Sequence, residues 1–195
     1  MSDPAGSPRI ALSGSAGVGK TTLGGALADH LGVPFIEEGM RARLEAGLDL
    51  HTLDSDQHRA LIEELFDEFW ASPATTNGYI ADRSPIDFLA FWLYYGFAAD
   101  PGATARFAAR CDAAMAHVDA IVILPWGVIP LAEDGIRTAN PWRQLHFQSL
   151  VEGLLGRRAA PGQVHRLPDD VTDPAARITW VKAAAGIAAP QPIAG

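Results

Sequence analysis

Residues 14–21 read Gly14-Ser15-Ala16-Gly17-Val18-Gly19-Lys20-Thr21, and Thr22 follows. This run fits G-x-x-x-x-G-K-T, the pattern of a P-loop, whose backbone N–H groups surround the phosphates of a nucleoside triphosphate. The glycines allow the tight backbone curl that this arrangement requires. We therefore predict that residues 14–22 bind ATP, that Lys20 reaches the β- and γ-phosphates, and that the Thr21 hydroxyl is a ligand of Mg²⁺.

The flanking sequence is typical of a strand before the loop and a helix after it. Residues 9–13 form a short, mostly apolar run of strand length, and apolar residues recur at helical spacing over 21–31. A helix that begins here directs its positive N-terminal end at bound phosphates. The alternative interpretation, a chance glycine-rich turn, does not require this context.

The composition is that of a globular, acidic protein. The chain has 195 residues, 48% of them hydrophobic, and a net charge of −8. No apolar run reaches the ~18 residues of a membrane helix, and the acidity argues against a broad nucleic-acid interface. The single cysteine, Cys111, excludes an internal disulfide and favours a reducing, cytoplasmic location. Its alanine-rich helical surroundings favour a small core residue over a reactive thiol.

Strand-like and helical runs alternate along the chain, which predicts an α/β fold with a parallel sheet. The predicted strands are 9–13, 33–36, 79–81, 120–124 and 164–167. Ser84-Pro85, Asn140-Pro141 and Thr172-Asp173-Pro174 each predict a helix start, because a capping side chain precedes a proline. We expect one domain over 9–188, with a flexible lead at 1–8 and a flexible tail at 189–195. A homodimer stays an open alternative.

Polar residues at the ends of the predicted strands are candidates for the site, because ligands of open parallel sheets bind beyond the carboxyl ends of the strands. The third strand leads into Asp82-Arg83-Ser84. A carboxylate here can hold Mg²⁺ or take the proton of an attacking hydroxyl. The alternative is a helix-capping turn with a structural role only.

The second strand leads into Glu37-Glu38, with Arg41 and Arg43 close behind. The carboxylates could bind sugar hydroxyls or help to hold the metal, and the arginines could bind a phosphate on an acceptor. A solvated loop is the alternative. Which glutamate faces the site stays open.

Arginines between the fourth strand and the helix at Asn140 suggest a lid. Arg137 lies in the loop and Arg143 lies just inside that helix, where they could close over phosphates and neutralise charge. The aromatic residues over 88–97 are expected to be mainly core rather than a base-stacking surface. The histidines lack metal-ligand spacing, so we expect no protein-bound zinc.

Taken together, several segments resemble small P-loop kinases. The likeness is greatest to the nicotinamide-riboside kinase domain of the bacterial NAD regulator and to related AAA-like ATPase/kinase domains. The Asp82-Arg83-Ser84 turn is similar to the acid–Arg–Ser turn of deoxynucleoside kinases. The segments that carry the resemblance are 14–22, Glu37-Glu38, Asp82-Arg83-Ser84, Asp134-Gly135-Ile136-Arg137 and a helix with Phe147, Leu150 and Leu154.

The resemblance implies a three-layer P-loop NTPase fold whose five-stranded parallel sheet has the order 2-3-1-4-5 and is flanked by helices. It also implies ATP and Mg²⁺ as donor and a nucleoside-like alcohol as acceptor. By position it makes Asp82 the base or metal-shell acid, Arg137 a lid arginine, and one glutamate of the pair an acceptor-site residue.

We therefore predict an ATP-dependent phosphotransferase. Its predicted catalytic residues are Lys20, Asp82, Arg137 and Arg143, and its predicted acceptor-binding residues are Glu37, Glu38, Arg41 and Arg83. Mg²⁺ is assigned to Thr21 and Asp82. Three alternatives stay open: a nucleoside monophosphate kinase, an antibiotic or natural-product kinase, and a regulatory ATPase or nucleotide-binding module without a small-molecule acceptor.

Overall fold

The computed structural model describes residues 7–71, 78–130 and 140–187. Within these residues, five parallel strands form one sheet of order β2-β3-β1-β4-β5. The predicted fold class and strand order are therefore confirmed. The strands are β1 (Arg9–Ser13), β2 (Phe35–Ile36), β3 (Tyr79–Ala81), β4 (Ala120–Ile123) and β5 (Val164–Arg166).

The first and third predicted strands are confirmed, whereas the other three are shorter than expected. The second was predicted over 33–36 but pairs only at Phe35–Ile36, because the Val33 N–H is donated to the Ala28 carbonyl at 3.1 Å and Pro34 has no N–H. β4 and β5 each end one residue early, although Leu124 and Leu167 still donate backbone hydrogen bonds to Ser13 and Ile123, both at 3.0 Å.

Seven α-helices lie among the described residues. The prolines at 85, 141 and 174 occupy first helical positions as predicted, and the capping side chains before them are Ser84, Asn140 and Asp173. The helices are α1 (Lys20–Leu31), α2 (Met40–Glu45), α3 (Ser55–Ala71), α4 (Pro85–Tyr94), α5 (Pro101–Met115), α6 (Pro141–Arg158) and α7 (Pro174–Ala184).

The aromatic stretch after β3 is divided by Gly96, whose φ of +85° begins a short 3₁₀ helix at Phe97–Ala99. Phe88 and Trp92 are fully buried in the core, as predicted for most of this stretch. Cys111 is also fully buried, and burial raises the pKa of its thiol to about 12. It is therefore the core residue that the sequence predicted.

The sheet separates two hydrophobic clusters. Helices α1 and α7 contribute to one cluster, and α3, α4, α5 and α6 contribute to the other. The carboxyl ends of β1, β3 and β4 meet at one edge, where the P-loop leaves β1. Among the described helices, none is both long and apolar enough to cross a membrane.

Candidate functional site

The P-loop connects β1 to α1 through three glycines with positive φ. The φ values are +128° at Gly14, +81° at Gly17 and +87° at Gly19. Gly14 also allows a close approach, because a Cβ there would lie 3.1 Å from both Gln148 Oε1 and the Leu124 carbonyl oxygen. The glycines of the motif are thus required by backbone geometry and by the neighbouring α6.

Lys20 is buried within the loop that it follows. Its Nζ donates to the carbonyl oxygens of Gly14 at 3.0 Å and Ser15 at 2.7 Å. Burial, together with the nearby positive charge of Arg83, lowers the pKa of Lys20 to about 8, against the opposing effect of the surrounding carboxylates. The ammonium group is therefore held inside the loop, where it can meet incoming phosphates.

Thr21 and Asp82, the two predicted metal ligands, are in direct contact. The Thr21 hydroxyl donates a hydrogen bond to Asp82 Oδ2. Asp82 is buried, and its Oδ1 has no hydrogen-bond partner among the described residues. A buried carboxylate oxygen without a partner is unfavourable. It therefore points to a ligand, and a hydroxyl beside a carboxylate is a hard oxygen donor set of the kind that Mg²⁺ prefers.

Arg83, predicted to bind the acceptor, is only 3% exposed. It donates to the Gly14 carbonyl at 2.8 Å and to Glu38 Oε2 at 3.1 Å, and it lies over the Phe91 ring at 4.9 Å. Burial alone would lower the pKa of Arg83, but Glu38, Asp87 and Asp82 together raise it. Its φ of +155° is rare for a residue with a side chain, and such backbone positions cluster at functional sites.

Asp87 is a site residue that the functional prediction missed. Its fully buried carboxylate accepts five hydrogen bonds: from Ser13 Oγ at 2.5 Å, Gly14 N at 3.2 Å, Arg83 Nη1 at 3.3 Å, and the N and Oγ of Ser84 at 3.0 and 2.6 Å. It thereby connects the P-loop to the Asp82-Arg83-Ser84 turn. The sequence signal was present, because Ser84 and Asp87 have the spacing of a capping box.

Gln148 and Arg177 contact the P-loop from distant parts of the chain. Gln148 Oε1 accepts from Ser15 N at 2.8 Å, and its Nε2 donates to the Leu124 carbonyl at 3.2 Å. Arg177 Nη1 donates to the Val18 carbonyl at 3.3 Å. Neither residue lies in a motif, so the sequence offered no signal for them.

The remaining predicted site residues differ in their exposure and in their contacts. Glu38 pairs with Arg83 and its side chain is 9% exposed, whereas Glu37 is exposed to solvent. Arg41 is exposed and lies 3.7 Å from Glu45. Arg143 donates to the Tyr94 hydroxyl at 2.7 Å. Of the two glutamates, Glu38 therefore faces the cluster around Arg83.

One predicted site residue lies outside the described residues. Arg137, the predicted lid arginine, lies in the segment 131–139, outside these residues. Over the same described ranges, no group of three or more His, Cys, Asp or Glu side chains is arranged to hold a metal ion. A magnesium site at Asp82 would therefore rest on one carboxylate, the Thr21 hydroxyl, and ligands from outside the protein.

Comparison with known proteins agrees with this geometry. A family model described as an AAA domain matches residues 9–173. The chain belongs to this AAA domain family. No curated protein matches the chain.

Solved structures similar to this AAA domain have the same fold. Two NadR structures, one with NAD and AMP-PNP and one with NR, are 22% and 24% identical, each with a TM-score of 0.67 over 95% of this chain. This chain spans about half of NadR, 51% and 53% of the two chains. Thymidylate kinase from Ehrlichia chaffeensis is 17% identical, with a TM-score of 0.60 over 91% of this chain and 98% of its own. These likenesses establish a P-loop kinase-like fold.

Proposed function

We propose that this AAA domain is a kinase that transfers the γ-phosphoryl group of ATP to a hydroxyl of a small, nucleoside-like molecule. The observation that carries the proposal is the buried Asp82 Oδ1, which has no partner among the described residues and belongs to the carboxylate that the Thr21 hydroxyl contacts. A carboxylate in this position, directly beside the P-loop, is suited to phosphoryl transfer.

The P-loop supports ATP as the donor. Lys20 is already inside the loop, and the buried Ser15 hydroxyl has no partner among the described residues, so it can donate to a phosphate oxygen. The similar NadR structure holds AMP-PNP, and a deoxyadenosine kinase from M. mycoides, with a TM-score of 0.55, holds dATP.

Thr21 and Asp82 would hold Mg²⁺. The fit rests on the unpartnered Asp82 oxygen next to the Thr21 hydroxyl. When bound, the ion neutralises phosphate charge and orients the triphosphate.

In the transfer step, the acceptor hydroxyl oxygen forms a bond to the γ-phosphorus, and the bond from that phosphorus to the β–γ bridging oxygen breaks to release ADP. The hydroxyl proton passes to the Asp82 carboxylate. Lys20 stabilises charge on the phosphates, and Arg137 and Arg143 are assigned to the lid that excludes water. Catalysis is then mainly positioning and charge neutralisation.

A nucleoside-like acceptor is supported by the surroundings of Arg83. Glu38 offers a carboxylate for hydroxyl groups, and half-buried Phe91 and Tyr95 are stacked at 6.3 Å near Arg83. Arg41 is assigned to the same acceptor region. Thymidylate kinase and deoxyadenosine kinase, which share the fold, act on nucleotides or nucleosides by name.

The direct test is ADP release from Mg-ATP in the presence of nucleosides, nucleoside monophosphates and simple sugars, with Lys20→Ala as the blank. Release that one acceptor class stimulates supports the kinase and identifies its substrate group. Release that is independent of any acceptor favours a regulatory ATPase, and ATP binding without release favours a nucleotide-binding module.

A further inference from the structure

The last helix, α7, brings a buried arginine against the P-loop. Arg177 is 4% exposed. Its Nη1 donates to the Val18 carbonyl at 3.3 Å, and its Nε donates to the Val171 carbonyl at 2.9 Å. A Cβ on Gly19 would lie 3.4 Å from the same Nη1, so the guanidinium lies against the backbone just before Lys20.

Arg177 differs from Arg83, the other buried arginine among the described residues, in what surrounds it. Its Nη2 is buried without a hydrogen-bond partner, and no ion pair joins it to a carboxylate within 7–71, 78–130 and 140–187. Burial lowers the pKa of Arg177. Arg83, which is 3% exposed, pairs with Glu38 and Asp87. A buried charge without a counter-charge is unfavourable. In other proteins, removing one partner of a buried ion pair is strongly destabilising, because the remaining charge is left unpaired.

The P-loop is the anion-binding element in contact with Arg177. Phosphates bound by the loop N–H groups bring several negative charges near Val18 and Gly19. These charges would compensate the guanidinium in a region of low dielectric constant, where an interaction between charges is stronger than in water.

We propose that Arg177 is a nucleotide-positioning residue, which holds the P-loop at Val18 and supplies a positive charge that the phosphates of a nucleoside polyphosphate neutralise. This proposal rests on one part of the proposed function, namely that the P-loop binds a nucleotide. It makes α7, outside the P-loop and the predicted lid, a contributor to affinity. Because the effect is electrostatic, it increases with the number of phosphates.

The test compares the affinities of ATP, ADP and AMP, measured by calorimetric titration, in three variants. Arg177→Gln removes the charge but keeps an amide that can donate to the Val18 carbonyl. Arg177→Lys restores a charge. Lys182→Gln, the matched control, removes a charge from the same helix, where Lys182 contacts His30 at 2.7 Å.

We expect Arg177→Gln to weaken ATP binding by about ten-fold or more, ADP binding less, and AMP binding by less than about three-fold. Arg177→Lys should recover much of the loss, and Lys182→Gln should change none of the affinities by more than about two-fold. The melting temperature of the nucleotide-free protein should not fall in Arg177→Gln, since an uncompensated buried charge is removed.

Two results obtained with the variants would overturn the proposal. Unchanged ATP affinity in Arg177→Gln would remove the residue from the nucleotide site. An equal loss for ATP, ADP and AMP, with no recovery in Arg177→Lys, would make Arg177 a structural contact only. If the wild-type protein binds none of the three nucleotides, the proposed function itself fails, and the Arg177 proposal fails with it. That result is distinct from the one in which the wild type binds ATP and Arg177→Gln binds it equally well, which overturns the Arg177 proposal alone.

Discussion

Two buried arginines contact the P-loop at different residues, and their surroundings differ. Arg83 contacts Gly14 and is paired with Glu38 and Asp87. Arg177 contacts Val18 and, among the described residues, has no carboxylate partner. Arg83, whose charge is compensated, can hold its neighbours in place, whereas in our proposal the charge of Arg177 is neutralised by bound phosphates.

This comparison divides the site into two regions. The region around Arg83, with Asp82, Glu38 and Asp87, contains the carboxylates suited to proton transfer and to hydroxyl recognition. The region around Arg177 contains backbone donors and positive charge, which suit phosphate binding. Substitutions in the first region should therefore affect chemistry, the acceptor or folding, and changes in the second should affect nucleotide affinity.

The largest effect is expected for Asp82→Asn. We expect kcat to fall by about 10²- to 10⁴-fold, because the amide cannot accept the hydroxyl proton. The Kd for ATP should change by less than about ten-fold, since the loop and Lys20 are intact. Steady-state kinetics and titration with ATP measure the two quantities. Asp112→Asn, which disrupts a surface pair with Arg158, is the control. Full activity in Asp82→Asn would exclude this residue from the mechanism.

The next effect is on folding. Asp87→Asn should lower the free energy of unfolding by about 3 kcal/mol, because five donors lose a carboxylate acceptor and Arg83 loses a counter-charge. Denaturant unfolding of the nucleotide-free protein measures the change. The same experiment on Arg177→Gln should give no loss. If both variants are destabilised equally, the proposed difference between the two arginines is wrong.

A smaller effect concerns the pH dependence of ATP affinity, which depends on Lys20. This residue lies between the two regions. The pKa of Lys20 is lowered to about 8, and phosphate binding requires the protonated ammonium. ATP affinity should therefore be constant below pH 8 and fall by up to about ten-fold per pH unit above it. Titrations between pH 6.5 and 9.5, a range of about three pH units around the pKa, test this. Lys20→Arg, which stays charged there, should bind with little pH dependence, and a wild-type profile as flat as that of this variant would contradict the prediction.

The smallest effect separates the two adjacent glutamates. Glu38→Gln should raise the KM for the acceptor several-fold, which corresponds to about 1 kcal/mol of binding free energy. The reason is that a charged hydrogen-bond acceptor near Arg83 is lost. Glu37→Gln is the matched control, since Glu37 is exposed, and its KM should stay within about two-fold of wild type. Equal effects would remove the preference for Glu38.

Much of the fold could be predicted from the sequence, because its signals are local. The P-loop glycines, the prolines at 85, 141 and 174, and the alternation of strands and helices each act over a few residues. The strand order came from family resemblance, since no local pattern specifies which strands become neighbours. The predicted start of β2 was wrong, because the Val33 N–H donates to the Ala28 carbonyl at the end of α1 instead.

The candidate site was predictable only where a motif or strand end carried it. The sequence by itself determined the P-loop, Thr21 and Asp82 as neighbours, since parallel strands bring their carboxyl ends to one edge. It also contained the capping-box spacing of Ser84 and Asp87, although not the contact of Asp87 with the loop.

Only the tertiary structure decided the rest. Gln148 is 133 residues from Ser15, and Arg177 is 159 residues from Val18. Contacts over such distances depend on how α6 and α7 pack on the sheet, which no local pattern contains. The same packing decided that Glu38 rather than Glu37 faces Arg83, and that one buried arginine has its counter-charges in the described fold while the other does not.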